Sequence, residues 1–230
     1  MKNRNIEIYK SNFLLTLPFD AQIREDPTLR ERLRAHLSEK YNELRPDVHV
    51  SDLIFCLRKS AFQKLMPKPV DDQSLSFFTA GRGHHDILED LHGSEREKEI
   101  RYDGVVGHID IFENEPIEIK TTRSFQREVK RHWILQLGYY CAMLNKNEGK
   151  LIILYLFPKK QPEKENKDNF LIETYSVYFD DLEVIRKDLL ERRDQLLKAL
   201  EARDPLLAPK TEEEWLCRAC PYHAECGGGE

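Results

Sequence analysis

The segment at residues 107–120, GHIDIFENEPIEIK, constrains the fold most, because apolar residues alternate with other residues on both sides of the sequence ENE. Alternation with a period of two is typical of a half-buried strand, and a polar stretch between two such runs predicts a β-hairpin. Asp110 lies in the first predicted strand, whereas Glu118 and Lys120 lie in the second. The chain is therefore expected to place three charged side chains on one hairpin.

The length of the hairpin loop decides whether the three charges meet. Glu118 and Lys120 are two residues apart, so they share one face of their strand while Ile117 and Ile119 point to the core. An odd-length loop places Asp110 opposite Glu118 on that face, and an even-length loop turns Asp110 to the other side. Both registers remain open from the sequence.

Two carboxylates on one face favour a metal site. Carboxylates held a few ångströms apart repel each other, and a divalent cation neutralises them, with the backbone carbonyl of Ile119 as a further oxygen ligand. Mg²⁺ or Mn²⁺ prefers such ligands, lowers the pKa of a bound water and stabilises charge on a phosphate, while Lys120 would steer the nucleophile. The alternative is a solvated strand pair with a cross-strand salt bridge.

Two further patterns bear on this choice. Gln136 and Tyr140 stand four residues apart on a predicted helix, so both point the same way. In AGRGHHDILE, His85 lies near a helix start with Glu89 one turn later, and an imidazole can complete a carboxylate site that accepts Mn²⁺. His84 is a rival for any role of His85.

The five cysteines are unevenly distributed, with three of them in the sequence CRACPYHAEC at residues 217–226. Thiolates at this spacing, together with Cys56, can converge on one zinc ion or on an iron–sulfur centre, and spacing does not separate the two. Cys141 lies on an apolar predicted helix, where a buried and inert thiol is expected.

A basic stretch follows the second hairpin strand. The sequence RSFQREVKRHW contains four cationic residues with Phe125 and Trp133 interleaved, a pattern typical of phosphate and nucleic-acid binding. The formal net charge of −5 shows no global basic field. The predicted DNA-binding residues are Arg123, Arg127, Lys130 and Arg131.

The rest of the chain reads as one main domain of alternating helices and strands. Its longest apolar run, LIILYLF, is far shorter than the roughly 20 residues of a membrane helix, and the first ten residues lack a signal-peptide core. We expect a cytoplasmic protein without a membrane partner. Helices are predicted at 28–46, 51–66, 76–92, 124–146 and 180–202, strands at 98–112, 116–122, 150–157 and 171–179, and a polar loop at 158–169.

The order of these motifs resembles a known family. His85, Asp110, Glu118-x-Lys120 and Gln136-x-x-x-Tyr140, with Cys56 upstream and CRACPYHAEC downstream, resemble the RecB-like branch of the PD-(D/E)xK nucleases. The likeness is more specifically to the CRISPR-associated RecB-like nucleases, the fourth Cas family. That resemblance implies an α/β, restriction-endonuclease-like core, in which a mixed central sheet is flanked by helices.

The resemblance also implies roles for individual residues. His85, Asp110, Glu118 and the Ile119 carbonyl would bind Mn²⁺ or Mg²⁺, Lys120 would be catalytic, and Gln136 and Tyr140 would contact DNA or support the site. The iron–sulfur cluster, usually 4Fe-4S and with zinc as the alternative, would be held by Cys56, Cys217, Cys220 and Cys226.

The domain organisation follows from the same resemblance. Residues 1–50 would form an N-terminal helical segment, and 51–226 the nuclease domain, with a cluster subdomain made of Cys56 and 205–226, followed by a tail at 227–230. The expected activity is exonucleolytic cleavage of single-stranded DNA, 5′ to 3′, in partnership with the CRISPR integrase during spacer acquisition. The two alternatives are a catalytically silent DNA-binding adaptor and a zinc-stabilised interaction module.

Overall fold

The computed structural model describes residues 26–41, 45–92, 95–123, 128–156 and 172–227, without the side chains of residues 89–92. Phe125, Arg127 and the predicted polar loop at 158–169 lie outside the described residues. Within the described part of the chain the helices are α1 Pro27–Tyr41, α2 Val50–Leu53, α3 Leu57–Leu65, α4 Asp72–His92, α5 Arg131–Leu144, α6 Leu182–Glu201 and α7 Glu214–Arg218, with a 3-10 turn at Pro205–Leu207. The strands are β1 Val48–His49, β2 Glu95–Tyr102, β3 Val105–Phe112, β4 Pro116–Thr122, β5 Glu148–Tyr155 and β6 Ile172–Tyr178.

The six strands form one mixed sheet in the order β1-β3-β4-β5-β6, and β2 also pairs with β3. Strands β2, β3 and β4 pair antiparallel, as do β5 and β6, whereas β4 and β5 run parallel. Helix α5 supplies the crossover that two parallel neighbours require. The α/β architecture with a mixed sheet, expected above, is confirmed.

Helices cover both faces of the sheet. On one face, Trp133 and Leu137 of α5 pack on the alternate β5 residues Leu151, Ile153 and Tyr155. On the other face, Leu88 of α4 packs against a small cluster formed by Ile111, Ile117, Ile119 and Ile152. Since successive side chains of a strand point to opposite faces, even-numbered residues of β4 lie under α5.

The hairpin between β3 and β4 has an odd-length loop. Ile111 pairs with Ile117 and Phe112 with Pro116, so the loop is the sequence ENE at residues 113–115. This register brings Asp110 opposite Glu118. The first of the two registers left open by the sequence is the one observed.

The helix predicted at residues 51–66 is broken into α2 and α3. Cys56 stands at the break as the N-cap of α3, in an extended backbone conformation. Arg192 of α6 donates hydrogen bonds to the carbonyls of Leu53 at 2.5 Å and Phe55 at 2.6 Å. A cation distant in sequence thus satisfies the carbonyls at this break, which local periodicity does not reveal.

Helix α1 does not bury its leucine stripe. Leu29 and Leu33 are exposed, and the helix is held to α4 by the Arg34–Asp72 ion pair at 2.6 Å and by the Tyr41 ring against Phe78. Helix α5 likewise begins at Arg131, later than the residue 124 expected from the sequence.

The C-terminal segment folds back onto α3. Arg58 donates its backbone N–H to the Pro209 carbonyl at 3.1 Å and its Nε to the Ala208 carbonyl at 2.9 Å. Tyr222 stacks on Phe62 with ring centroids 5.3 Å apart. These contacts bring residues 217–226 beside Cys56. None of the described helices has the length and apolar character needed to cross a membrane.

Candidate active site

The β3–β4 hairpin positions the first carboxylate of the site. Asp110 Oδ2 accepts a hydrogen bond from the backbone N–H of Ile119 at 2.7 Å. The Asp110 side chain thereby joins the two strands just beyond their last paired residues, Ile111 and Ile117. The contact fixes the carboxylate of Asp110 next to the neighbouring residues of β4.

Glu118 is the most unusual residue of the site, because its side chain is only 2% exposed. Its Oε1 accepts a hydrogen bond from Lys120 Nζ at 2.5 Å, and its Oε2 is buried with no hydrogen-bond partner. Burial, followed by the charge of Asp110, raises the pKa of Glu118 from an ordinary 4.5 to about 7, with Lys120 opposing the rise. A carboxylate in this state favours a cation beside it.

Lys120 is held by a chain of hydrogen bonds from α5. Its Nζ donates to Gln136 Oε1 at 2.7 Å, and Gln136 Nε2 donates to the hydroxyl oxygen of Tyr140 at 3.0 Å. Burial, followed by the charge of Glu118, raises the pKa of Tyr140 well above its ordinary value, so the phenol stays protonated. The predicted convergence of Gln136 and Tyr140 on the site is observed, through Lys120.

Gly107 of β3 makes room for the Tyr140 ring. A Cβ at this position would lie 2.9 Å from Tyr140 Cε1 and 3.0 Å from Ile100 Cγ1, closer than ordinary contacts. The glycine therefore lets the buried ring lie directly against β3.

His85 reaches the site from α4. Its Nδ1 lies 3.4 Å from Asp110 Oδ1. Burial lowers the pKa of His85, but the hydrogen bond and charge of Asp110 outweigh it and leave the pKa above its ordinary value. His84 instead places its Nδ1 2.6 Å from the Ala80 carbonyl of its own helix, which leaves His85 as the histidine of the site. The side chain of Glu89 lies outside the described residues.

The described His, Cys, Asp and Glu side chains form no group of three or more arranged to hold a metal ion. The two carboxylates of the hairpin are instead engaged in hydrogen bonds: Asp110 accepts from the Ile119 backbone N–H, and Glu118 accepts from Lys120. The donor chemistry nonetheless fits a divalent cation. His85 adjoins Asp110, the charge of Asp110 acts on Glu118, and the unpartnered Oε2 of Glu118 is an oxygen that a cation would satisfy.

A second feature is a cavity of about 260 Å³ between α3 and the C-terminal segment. Its lining includes cations that suit an anionic group: Lys59, Lys130 and Lys210 line it, and Arg58 Nη1 lies 3.8 Å from Cys226 Sγ. Cys141 lies elsewhere, fully buried as predicted, and burial raises its thiol pKa to about 12. The four thiols that line the cavity are Cys56, Cys217, Cys220 and Cys226.

The predicted basic patch is divided. Arg123, at the end of β4, holds its guanidinium 4.2 Å from the centre of the Phe77 ring. Lys130 instead lies over Trp133 at 4.9 Å and lines the cysteine cavity, and burial lowers its pKa. Arg131 lines a neighbouring groove. Of the described members, the structure brings only Arg123 to the end of the strand that carries Lys120.

A family model described as the PD-(D/E)XK nuclease superfamily matches residues 97–227, more than half of the chain. The chain belongs to the PD-(D/E)XK nuclease superfamily. The matched range of the superfamily includes Asp110, Glu118 and Lys120, whereas His85 and Cys56 precede it. The sequence matches no curated protein.

The fold of this chain is similar to that of one solved structure, and two others align with it at lower scores. The crystal structure of SSO0001 aligns with a TM-score of 0.58 at 18% identity, covering 87% of this chain and 96% of that chain. A phage-related exonuclease from Haemophilus somnus 129PT aligns with a TM-score of 0.46 at 12% identity, covering 73% of this chain and 97% of that chain. The alkaline exonuclease LHK-Exo from Laribacter hongkongensis aligns with a TM-score of 0.44 at 13% identity, covering 76% and 95%.

Sequence reasoning missed two features of this site. The bond from the Ile119 N–H to Asp110 follows from the hairpin register, which the sequence left open. The contact between Phe77 and Arg123 was also missed. Its signal was the pair FF at residues 77–78, two turns before His85. Adjacent residues of a helix point in different directions, so both rings cannot pack on one buried face.

Proposed function

We propose that the chain is a divalent-metal-dependent deoxyribonuclease whose catalytic residues are Asp110, Glu118 and Lys120. The observation that carries this proposal is the buried, unpartnered Oε2 of Glu118, which lies beside Lys120 and within reach of the charge of Asp110. An unpartnered buried carboxylate oxygen is costly to keep, so a buried carboxylate with a charged partner beside it is a candidate for a functional site. Membership in a nuclease superfamily supports the same function.

The proposed ligands of Mn²⁺ or Mg²⁺ are the carboxylates of Asp110 and Glu118, the imidazole of His85 and the Ile119 carbonyl. When bound, such an ion would lower the pKa of a water molecule and stabilise negative charge on a phosphate. Asp110 keeps its carboxylate in place through the Ile119 N–H.

Lys120 carries the positive charge that faces the phosphate. Its ammonium group stabilises the negative charge that develops on the phosphate oxygens and orients the attacking water. Gln136 holds the ammonium through its Oε1, and Tyr140 in turn accepts from Gln136. Gln136 and Tyr140 are therefore positioning residues, with contact to DNA as a further role.

We also propose that Cys56, Cys217, Cys220 and Cys226 hold a 4Fe-4S cluster. Their common cavity and its cationic surroundings support this assignment, since thiolate-bound clusters are anionic. A tetrahedral zinc ion requires four thiolates at about 2.3 Å from one centre. Zinc held by the same four thiols is the alternative. The cluster would join the C-terminal segment to α3.

The finer parts of the proposal come from the family resemblance. We propose exonucleolytic action on single-stranded DNA, 5′ to 3′, in spacer acquisition beside the CRISPR integrase. The order His85, Asp110, Glu118-x-Lys120 and Gln136-x-x-x-Tyr140 supports these parts.

The test uses the full chain purified without oxygen. Iron content and visible absorbance are recorded, and the same sample is incubated with single-stranded or duplex DNA labelled at either end, with Mn²⁺, Mg²⁺ or EDTA. We expect brown protein that shortens single strands from the 5′ end in Mn²⁺ and not in EDTA. The same preparation of Asp110→Ala should be inactive, and an exposed-residue control, Glu191→Gln, should be active.

The cluster and the catalytic residues can each be refuted by a separate result. Colourless protein that contains zinc and no iron would refute the cluster. An Asp110→Ala variant that cuts as fast as the wild type would refute the assignment of the catalytic residues, and binding without any cutting would favour an adaptor role.

A further inference from the structure

Two adjacent phenylalanines on α4 are exposed to solvent. Phe77 is 40% exposed and Phe78 is 49% exposed. Aromatic rings gain more from burial than most side chains, so two neighbouring exposed rings suggest a surface that binds something. The position of the two rings on the molecule indicates which ligand this surface binds.

The two rings lie on the helix that reaches the catalytic hairpin. Phe78 precedes His85 by seven residues, two helical turns, so both share a face of α4 about 10 Å apart along its axis. Between them, a Cβ at Gly81 would lie 3.4 Å from Thr121 Oγ1 of β4. The aromatic pair is thus continuous with the site that contains His85.

A cation accompanies the rings. The guanidinium of Arg123 lies 4.2 Å from the centre of the Phe77 ring, and Arg123 follows Lys120 by three residues. The ring of Tyr41 lies 5.7 Å from that of Phe78. Exposed rings with a guanidinium, next to a site for phosphate chemistry, match the two chemical parts of an unpaired nucleotide: a flat base and an anionic phosphate.

We propose that Phe77 and Phe78 form a stacking platform for unpaired bases of single-stranded DNA, with Arg123 contacting the phosphate between them and the catalytic hairpin. Exposed rings stack on bases whose faces are free, and a duplex hides every base face except those of its terminal pairs. The platform therefore selects single strands, and it rests on the proposed nuclease function of the neighbouring site.

The test measures binding without cutting. Fluorescence anisotropy in EDTA gives the Kd of the full chain for a short labelled oligothymidine and for the same strand annealed to its complement. We expect Phe77→Ala and Phe78→Ala each to weaken single-strand binding by roughly 5- to 150-fold, the range that loss of one stacked base implies. Duplex binding should not change.

Two further variants separate stacking from general apolar packing. Phe77→Leu keeps an apolar side chain but lacks a π face, so it should lose single-strand affinity as Phe77→Ala does. Tyr178 is 69% exposed on β6, away from α4, and Tyr178→Ala should leave the Kd unchanged. Equal single-strand affinity of Phe77→Ala, Phe78→Ala and wild type would overturn the platform, as would full retention by Phe77→Leu.

Cutting in Mn²⁺ is measured on the same samples, so the two proposals fail in different ways. Wild-type protein that cuts single strands while its phenylalanine variants bind them normally refutes the platform and leaves the nuclease function standing. Phenylalanine-dependent binding by a protein that cuts nothing refutes the nuclease function and supports the platform.

Discussion

Replacing Glu118 with glutamine tests whether the site is built around an unfavourable buried charge. The pKa of Glu118 is raised from 4.5 to about 7, chiefly by burial. The folded protein therefore holds this proton more tightly than the unfolded chain does. Ionisation of Glu118 then costs stability: the cost is absent below pH 4.5, grows up to about pH 7 and is constant above it.

The size of the effect follows from the shift. At about 1.4 kcal/mol for each tenfold change in proton affinity, ionised Glu118 lowers the free energy of unfolding by about 3 kcal/mol above neutral pH. Glutamine is uncharged and nearly isosteric, so Glu118→Gln should be more stable than wild type by up to that amount at about pH 8. For a chain of this length the gain corresponds to roughly 6–12 °C in Tm.

The assay is urea and thermal unfolding followed by circular dichroism in EDTA, at acidic and alkaline pH, with both proteins at equal iron content. Near pH 4.5, where Glu118 is protonated in the folded state, the two stabilities should converge. Mn²⁺ at a hundredfold excess over its Kd should add about 2.7 kcal/mol to the wild type and much less to Glu118→Gln. The exposed control Glu191→Gln should follow the wild type in every condition.

Two results would refute this reasoning. A Glu118→Gln protein that is less stable than wild type at alkaline pH would show that the buried carboxylate is a favourable structural group. Equal stabilisation of both proteins by Mn²⁺ would show that Glu118 does not take part in binding the ion.

Three further predictions concern the surroundings of this carboxylate. Lys120→Ala should slow Mn²⁺-dependent cutting on the order of 100- to 1,000-fold, as for loss of one charge-stabilising donor, and normal cutting rates would contradict its role. Cys226→Ala should lose iron while Cys141→Ala retains it, and equal iron content in both would contradict the cluster assignment. Gly107→Ala places a methyl group 2.9 Å from Tyr140 Cε1, so it should lower the free energy of unfolding by about 1–3 kcal/mol. An unchanged urea midpoint would show that the Tyr140 ring can move aside without a cost in stability.

The β3–β4 hairpin and strands β5 and β6 could be predicted because they depend on local pattern. The single strand predicted at residues 98–112 was wrong: it is two antiparallel strands, β2 and β3, joined at Asp103 and Gly104, and the short strand β1 was not predicted. Alternation identifies β3 and β4, and the meeting of Asp110 with Glu118 needed only the choice between two loop lengths. The near-complete burial of Glu118 could not be predicted. It depends on α5 lying over the even-numbered face of β4, a contact between elements that periodicity does not contain.

Distant contacts also explain where the predictions of helices differ from the structure. The break at Cys56 is accompanied by Arg192, which is more than one hundred residues away in sequence. The late start of α5 turns Lys130 toward the cysteine cavity, so a charge pattern that suggested one DNA-binding face is divided between two places. In each case the identity of the side chain is known from the sequence, but its environment depends on contacts with distant residues.

Helix α5 links the two proposed centres. Its first turn lines the cysteine cavity through His132, whose ring lies 4.7 Å from that of Phe55, and one turn later Gln136 holds Lys120. Burial, followed by the charges of Lys130 and Lys120, lowers the pKa of His132 to about 4, so the ring stays neutral and packs as an apolar group. Because His132 and Gln136 belong to one helix, a displacement of its first turn would also displace the acceptor of Lys120, and a misplacement of about 1 Å can lower a catalytic rate about 100-fold. The proposed cluster in this cavity would therefore support catalysis by fixing the position of α5.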